Sequence, residues 1–281
     1  MTENQHIAGV LEEVSRILNE QGANRFRVQA YVHAAESVRT LGESVADLYQ
    51  REGLAGLEAL PGIGTTISHV IRDVLLHGRS ALLERLRGES DPVNLLASVP
   101  GIGDITAHRL HDELGLETLH DLEQAAHDGR LEQFPGMGLK RLAGIRDTLA
   151  QRLGRLQPPR SPSEEGEQPP VEELLDVDRE YRESAQAERL KKIAPKRFNP
   201  RGEAWLPILH TTRGPRHYTV LFSNTARAHE LGKTRDWVVI YCDNGNGEQQ
   251  FTVITSSFGR LKGRRIVRGR EAECEALGES R

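Results

Sequence analysis

One five-residue pattern, apolar-Pro-Gly-apolar-Gly, occurs three times in the first half of the chain: Leu60-Pro-Gly-Ile-Gly64, Val99-Pro-Gly-Ile-Gly103 and Phe134-Pro-Gly-Met-Gly138. Each copy follows a helical stretch and precedes another, over 65–76, 104–114 and 139–153. The proline ends the first helix and fixes the turn. The first glycine reaches φ > 0 and lets a second backbone come close, because it has no Cβ. The second glycine opens the next helix, whose first N–H groups lack an intrahelical partner. Such a chain is restricted to an array of short helices joined by tight turns.

This is the pattern of the helix-hairpin-helix motif. Open N–H groups at the positive end of a helix dipole suit a phosphate oxygen. Contacts of that kind position a nucleic acid without reading its bases. The candidate phosphate-binding glycines are Gly62, Gly64, Gly101, Gly103, Gly136 and Gly138. Met137 and Phe134 set the third copy apart, which leaves it the alternative of a structural turn while the first two bind.

Charge sharpens this reading. The 281 residues carry 37 Lys and Arg against 41 Asp and Glu, a net charge of −4. Residues 1–156 hold 16 basic and 22 acidic side chains, whereas residues 195–281 hold 15 and 9. Binding by the first half therefore needs something other than bulk positive charge, and the basic excess at the other end points to a polyanion there. Two cysteines, Cys242 and Cys274, are too few for a disulfide framework or a four-cysteine zinc site. No apolar run approaches the roughly 20 residues of a membrane helix, and the N-terminus lacks the features of a signal peptide. A cytoplasmic, nucleoid-associated protein without a membrane partner is the expectation.

The length suggests about two domains. Residues 1–156 read as helical throughout, with Ile7, Val10, Leu11, Val14, Ile17 and Leu18 at helical spacing. Residues 157–170, rich in Pro, Ser and Glu and devoid of apolar side chains, read as a flexible linker. A helix is predicted over 171–193, then a change of period. Segments 217–222, 236–241 and 250–255 read as strands, the last two forming a hairpin about Asp243-Asn-Gly-Asn-Gly. A further strand is expected at 264–267 and a helix near 225–231. The expected fold is an all-α helix-hairpin-helix N-terminal domain, residues 1–156, plus a smaller α+β C-terminal domain with antiparallel strands, residues 171–281.

A family resemblance rests on Asn24-Arg-Phe-Arg-Val-Gln-Ala-Tyr31 with Ala34-Ala35, then Leu60-Pro-Gly-Ile-Gly-Thr-Thr-Ile67 and Val99-Pro-Gly-Ile-Gly103. It continues through Glu113-Leu-Gly-Leu-Glu-Thr-Leu-His-Asp-Leu122 and Gly129-Arg-Leu-Glu-Gln-Phe-Pro-Gly-Met-Gly138. Residues 1–155 resemble the N-terminal region of bacterial family-X DNA polymerases, the relatives of DNA polymerase beta. The resemblance implies a 5′-phosphate-binding domain and a hairpin subdomain that grips gapped DNA, in a repair setting. It places Arg27 and Tyr31 near the 5′-phosphate pocket, and with Arg25 they would favour DNA ends or gaps. It also implies a monovalent cation held by the hairpin carbonyls of Leu60, Gly62, Val99 and Gly101, with no other cofactor required.

Two departures limit what carries over. The family's lyase reaction uses a lysine to form a Schiff base, but no lysine precedes Lys140, and Val70 stands at the nucleophile's position. The family's polymerase needs a Gly-Ser followed by a metal-binding Asp-x-Asp. The only Asp-x-Asp is Asp176-Val-Asp178, without that Gly-Ser, and it reads as a solvated helix start.

Arg264, Arg265 and Arg268 in a basic terminal cluster suit a polyanion groove; a charged edge that blocks strand pairing is the competing reading. His210, His217, His229, Glu230, Asp236 and Asp243 form a dispersed His and carboxylate set. Of these, His217, His229, Glu230 and Asp236 are the candidates for a nuclease or end-processing site, although no His-x-x-x-His pair demands a metal. The function expected is sequence-nonspecific binding to gapped, nicked or duplex DNA, with a repair-protein partner for the C-terminal domain. A C-terminal nuclease is the alternative.

Overall fold

The structure, a computed structural model, describes residues 2–89, 91–153, 168–245, 247–257 and 259–279. The predicted linker over 157–170 falls outside the described residues except for 168–170. The chain packs as two compact units, each built from three segments. The first unit comprises Met1–Glu89, Asp176–Leu221 and Ile240–Glu248. The second comprises Ser90–Leu175, Phe222–Val239 and Gln249–Arg281.

In the first unit, α1 (Glu3–Glu20) starts at a capping box between Thr2 and Gln5 and buries Ile7, Leu11, Val14 and Leu18 on one stripe. Next come α2 (Arg25–Thr40), capped by Asn24, and α3 (Val45–Glu58), capped by Ser44 and broken where Gly53 takes φ 65°. Asn4 ties the α2–α3 connection to α1, donating to the Glu43 carbonyl and accepting from the Val45 amide. The helices α4 (Thr65–His77) and α5 (Ala81–Arg87) complete the set.

The second unit contains α6 (Pro92–Ala97), with proline in its first turn, then α7 (Asp104–Leu114), α8 (Leu119–His127) and α9 (Leu139–Arg152). Their apolar faces share one core, in which Leu96, Leu110, Leu122, Ala125, Leu131 and Leu149 are wholly buried.

The predicted helix over 171–193 is shorter than expected. It is α10 (Val171–Gln186), and Glu188 in the left-handed region (φ 54°) ends its run. Residues Lys191–Ile193 form β1 instead. Nor is Asp176-Val-Asp178 a solvated start. Asp178 is buried within the helix, with its carboxylate on Arg182 at 3.0 Å, and Asp176 holds Arg213 at 2.8 Å.

Strands β2 (Leu206–Arg213), β3 (Arg216–Phe222), β4 (Val238–Asp243), β5 (Glu248–Thr255) and β6 (Arg265–Val267) follow β1 in one six-stranded sheet whose order is the chain order. The pairs β1–β2, β2–β3 and β5–β6 are antiparallel. Short helices α11 (Ala226–Glu230) and α12 (Glu271–Glu279) flank the later strands. The predicted strands and the helix near 225–231 are present. Strand β2 was not predicted, because Pro207 interrupts its signal near the start. Among the described residues no helix is long and apolar enough to cross a membrane.

Leu110 is fully buried in the core of the second unit. Leu110→Ala is expected to cost about 2–5 kcal/mol of unfolding free energy. Urea denaturation followed by helical circular dichroism measures this, and an unchanged midpoint would contradict the packing described.

Candidate nucleic-acid interface

The three hairpins share one turn. The fourth residue of each pattern donates its N–H to the carbonyl of the first: Ile63 to Leu60 at 3.2 Å, Ile102 to Val99 at 2.9 Å and Met137 to Phe134 at 3.0 Å. The glycine before it takes φ 76°, 90° and 86° in turn. Proline followed by a positive-φ glycine is the sequence of a type II turn. The fourth residue, Ile63, Ile102 or Met137, is buried and pins the turn to its core. At Gly62 closeness also matters, since a Cβ there would lie 3.3 Å from the His33 Cβ on α2.

The second glycine of each pattern has a different reason to be glycine. Gly64 and Gly103 are the N-caps of α4 and α7, in extended conformations open to any residue. A Cβ at Gly64, Gly103 or Gly138 would meet nothing within 4 Å. Packing therefore does not demand glycine at these places. Its consequence is chemical: no side chain caps the first turn of α4 or α7. By contrast α1, α2, α3, α5, α6, α8 and α11 each have a Thr, Asn, Ser or Asp accepting from a first-turn amide. The uncapped donors lie where the dipole favours an anion.

The surroundings of the hairpins differ. At the first, the Thr66 hydroxyl donates to the Asp243 carboxylate at 2.6 Å, which places a negative group beside the first turn of α4. At the second and third, Ile105 and Leu139 are 82% and 80% exposed in the first turns of their helices. Asp104 opens α7, and Lys140 follows Leu139. Three of the four carbonyls singled out as cation ligands accept hydrogen bonds. Leu60 and Val99 accept the turn hydrogen bonds, and Gly101 accepts from the Arg141 guanidinium.

Arg25 is exposed, but Arg27 and Tyr31 are buried. Arg27 donates to the Thr219 hydroxyl on β3 at 2.9 Å. His210, paired with Thr219 across β2 and β3, meets the same hydroxyl at 3.1 Å and Gln21 at 2.9 Å. Nearby, Arg85 pairs with Glu248 at 2.7 Å and lies 3.5 Å above the Tyr241 ring. Burial pushes the Tyr31 hydroxyl well above its ordinary range and, with the positive charges of Arg27 and Arg85, takes His210 down to about 3. Among the described residues, Arg27 Nε, Tyr31 Oη, Arg85 Nη1 and His217 Nδ1 are buried without hydrogen-bond partners. Sequence reasoning singled out Arg27, Tyr31 and His210, but not Gln21, Arg85 or Thr219. No local signal marks a contact between residues up to 192 positions apart.

Of the candidates for C-terminal chemistry, His229, Glu230 and Asp236 are each engaged with a different partner. His229 meets Asn224 at 2.7 Å, and Glu230 holds Arg227 at 3.1 Å. Asp236 accepts from Arg265 and from the Thr255 hydroxyl, both at 2.6 Å. These contacts keep the Asp236 carboxyl below its ordinary range against the opposing effect of burial. His217 stands on β3, where burial lowers its basicity. Among the described residues no group of three His, Cys, Asp or Glu could hold a metal ion. Of the basic strand residues, Arg264 is exposed, Arg268 is half-buried and Arg265 is committed to Asp236.

Residues 2–80 match the family model described as a helix-hairpin-helix domain, and residues 93–151 match that of a SAM-like helix-hairpin-helix tandem. The chain is 28% identical over 160 residues to the DNA polymerase/3′-5′ exonuclease PolX of Bacillus subtilis (strain 168). That stretch is 56% of this chain and 26% of the relative, so the chain matches about a quarter of that relative's length. The N-terminal region is thus a helix-hairpin-helix region like that of PolX.

The buried imidazole of His210 gives a pH dependence of definite sign. Its folded-state pKa of about 3 lies below the ordinary 6.5, so the unfolded chain takes up the proton first. The stability is fully present above pH 6.5 and is lost as pH falls below it, by about 2 kcal/mol at pH 5 for this group alone. Urea unfolding of the wild type and His210→Gln at pH 7.5 and 5.0 tests this. The variant should lose less on acidification, and equal losses would refute the assignment.

Proposed function

We propose that the chain is a DNA-binding protein of a repair setting that grips the phosphate backbone through its hairpins without reading bases. The observation that carries this is the pair of glycine N-caps, Gly64 and Gly103, which leave the first-turn amides of α4 and α7 without a side-chain acceptor. Helix-hairpin-helix models matching both parts of the N-terminal region support it, as does the similarity to a DNA polymerase and exonuclease. The acidic balance of residues 1–156 fits a mode of binding in which backbone amides supply the positive potential.

The activities named for the relative are not carried to this chain. Asp176 and Asp178 hold arginines, and Val70 replaces the lysine that the lyase reaction needs. His229, Glu230 and Asp236 each have a structural partner. Delivery of DNA ends or gaps to other repair components is the role that remains.

An aspartate at the N-cap separates binding from folding. Gly64→Asp and Gly103→Asp introduce no strain, since both positions are extended and open. Each carboxylate would cap its own helix and repel phosphate. Gly103→Asp is expected to preserve or raise the melting temperature while weakening DNA binding about tenfold. Gly64→Asp should act less, because Asp243 already places a carboxylate beside that turn. Binding to gapped, nicked and duplex DNA, with denaturing gels in Mg²⁺ to detect cleavage, provides the readout. Unaltered affinity in both variants would reduce the hairpins to structural turns, and strand cleavage would restore an enzymatic role.

A further inference from the structure

In the second unit the tips of two hairpins are joined by one side chain. The Arg141 guanidinium, from the first turn of α9, donates to the carbonyls of Gly101 in the second hairpin and Gly136 in the third, the latter at 2.9 Å. Its remaining nitrogen reaches the Thr106 hydroxyl on α7 at 3.2 Å. Three oxygens from two hairpins thus converge on one cation. A reciprocal contact runs the other way, where Arg109 of α7 lies 4.7 Å from the ring centre of Phe134 in the third hairpin. A Cβ at Gly101 would stand 3.6 Å from the Arg141 Cγ and 3.7 Å from the Ile145 Cγ1, so this glycine lies in ordinary contact with α9.

We infer that Arg141 is a built-in cation that braces the second and third hairpins into one two-point phosphate clamp. This rests on the DNA-binding reading above and deepens it. A planar guanidinium can satisfy several acceptors in fixed directions, which a single hydrated ion or an ammonium cannot do as rigidly. Holding both tips at one spacing fixes the open N-terminus of α7 beside the first turn of α9 before DNA arrives, which lowers the ordering cost at binding. The second site is then engaged at high effective concentration. Ile105 and Leu139, both exposed, flank the open amides and present apolar surface to the deoxyribose rings between phosphates. The third hairpin, which sequence alone left as a possible structural turn, is on this account half of the clamp.

Removing Arg141 leaves carbonyl oxygens converging on an unfilled point, and a small monovalent cation can take its place where a bulky one cannot. The test compares wild type, Arg141→Ala and Arg141→Lys, all full length, in potassium chloride and in choline chloride at equal ionic strength. Affinity for a nicked duplex and melting temperature are both measured. Wild type should show no preference between the salts. Arg141→Ala in choline should bind about tenfold more weakly and melt about 3 °C lower, with potassium restoring most of both. Should Arg141→Ala fail to fold, Arg141→Lys decides, because an ammonium leaves one carbonyl unfilled and must also create a potassium preference. Absence of any cation preference in the folded variants overturns the brace, even if wild type binds DNA well. Absence of DNA binding by wild type in either salt overturns the function proposed above and the clamp with it, whatever the melts show.

Discussion

The first amides of a helix need acceptors, and the way this chain meets that need organises the rest of its N-terminal region. Most of its helices borrow an oxygen from their own N-cap side chain, and such a cap contributes about 1 kcal/mol. At α4 and α7 that contribution is absent. The turn leading into each must then be held by other means. A buried Ile63 or Ile102 and a proline on the preceding side do this, with the positive φ of Gly62 or Gly101 allowing the reversal. The apolar plug makes the hairpin rigid while the glycine keeps its amides bare, so the same five residues supply both the stability and the binding surface.

Positive charge follows a second logic. The helix α9 carries three arginines, and each donates to a backbone carbonyl. Arg141 serves the carbonyls of Gly101 and Gly136, Arg146 that of Ala126, and Arg152 both the carbonyl and the hydroxyl of Ser98. Orphan carbonyls at helix ends and turns are thereby satisfied by neighbours in space. In the later segments Arg213, Arg265 and Arg270 are likewise committed to Asp176, Asp236 and Glu273. A basic excess counted along the sequence therefore overstates the charge offered to a polyanion. Much of it is spent on holding the fold together.

These two logics explain what could be read from the sequence. The hairpins were legible because proline, glycine and an apolar plug act within five residues. The strands β3, β4 and β5 were legible through β-branched and aromatic runs around a glycine-rich turn. Strand β2 was hidden by Pro207, which occupies the strand while its carbonyl accepts the Tyr181 hydroxyl at 2.9 Å. The end of α10 was hidden because Glu188 adopts a left-handed conformation that no glycine announces. The role of Arg141 was hidden most completely. It stands three residues past the third motif, and only packing shows that its partners belong to two different hairpins.

The layer around Arg27 shows the opposite balance. Arg27, Tyr31, Arg85 and His217 bring polar atoms into the first unit that find no hydrogen-bond partner among the described residues. Each such group costs about 1–3 kcal/mol. The apolar stripe of Ile7, Leu11 and Leu18 and the wholly buried Leu57 and Ile71 must offset that cost. Arg85 recovers part of its desolvation through Glu248 and the Tyr241 face, whereas Arg27 has the Thr219 hydroxyl. Thr219 is shared with His210, whose ring must stay neutral beside two guanidinium groups. Acidification that charges this ring adds a third positive group where, among the described residues, no carboxylate is in hydrogen-bonding contact with Arg27 or His210. The first unit should therefore yield to acid at this layer before its apolar helix contacts fail, since those carry no charge to titrate.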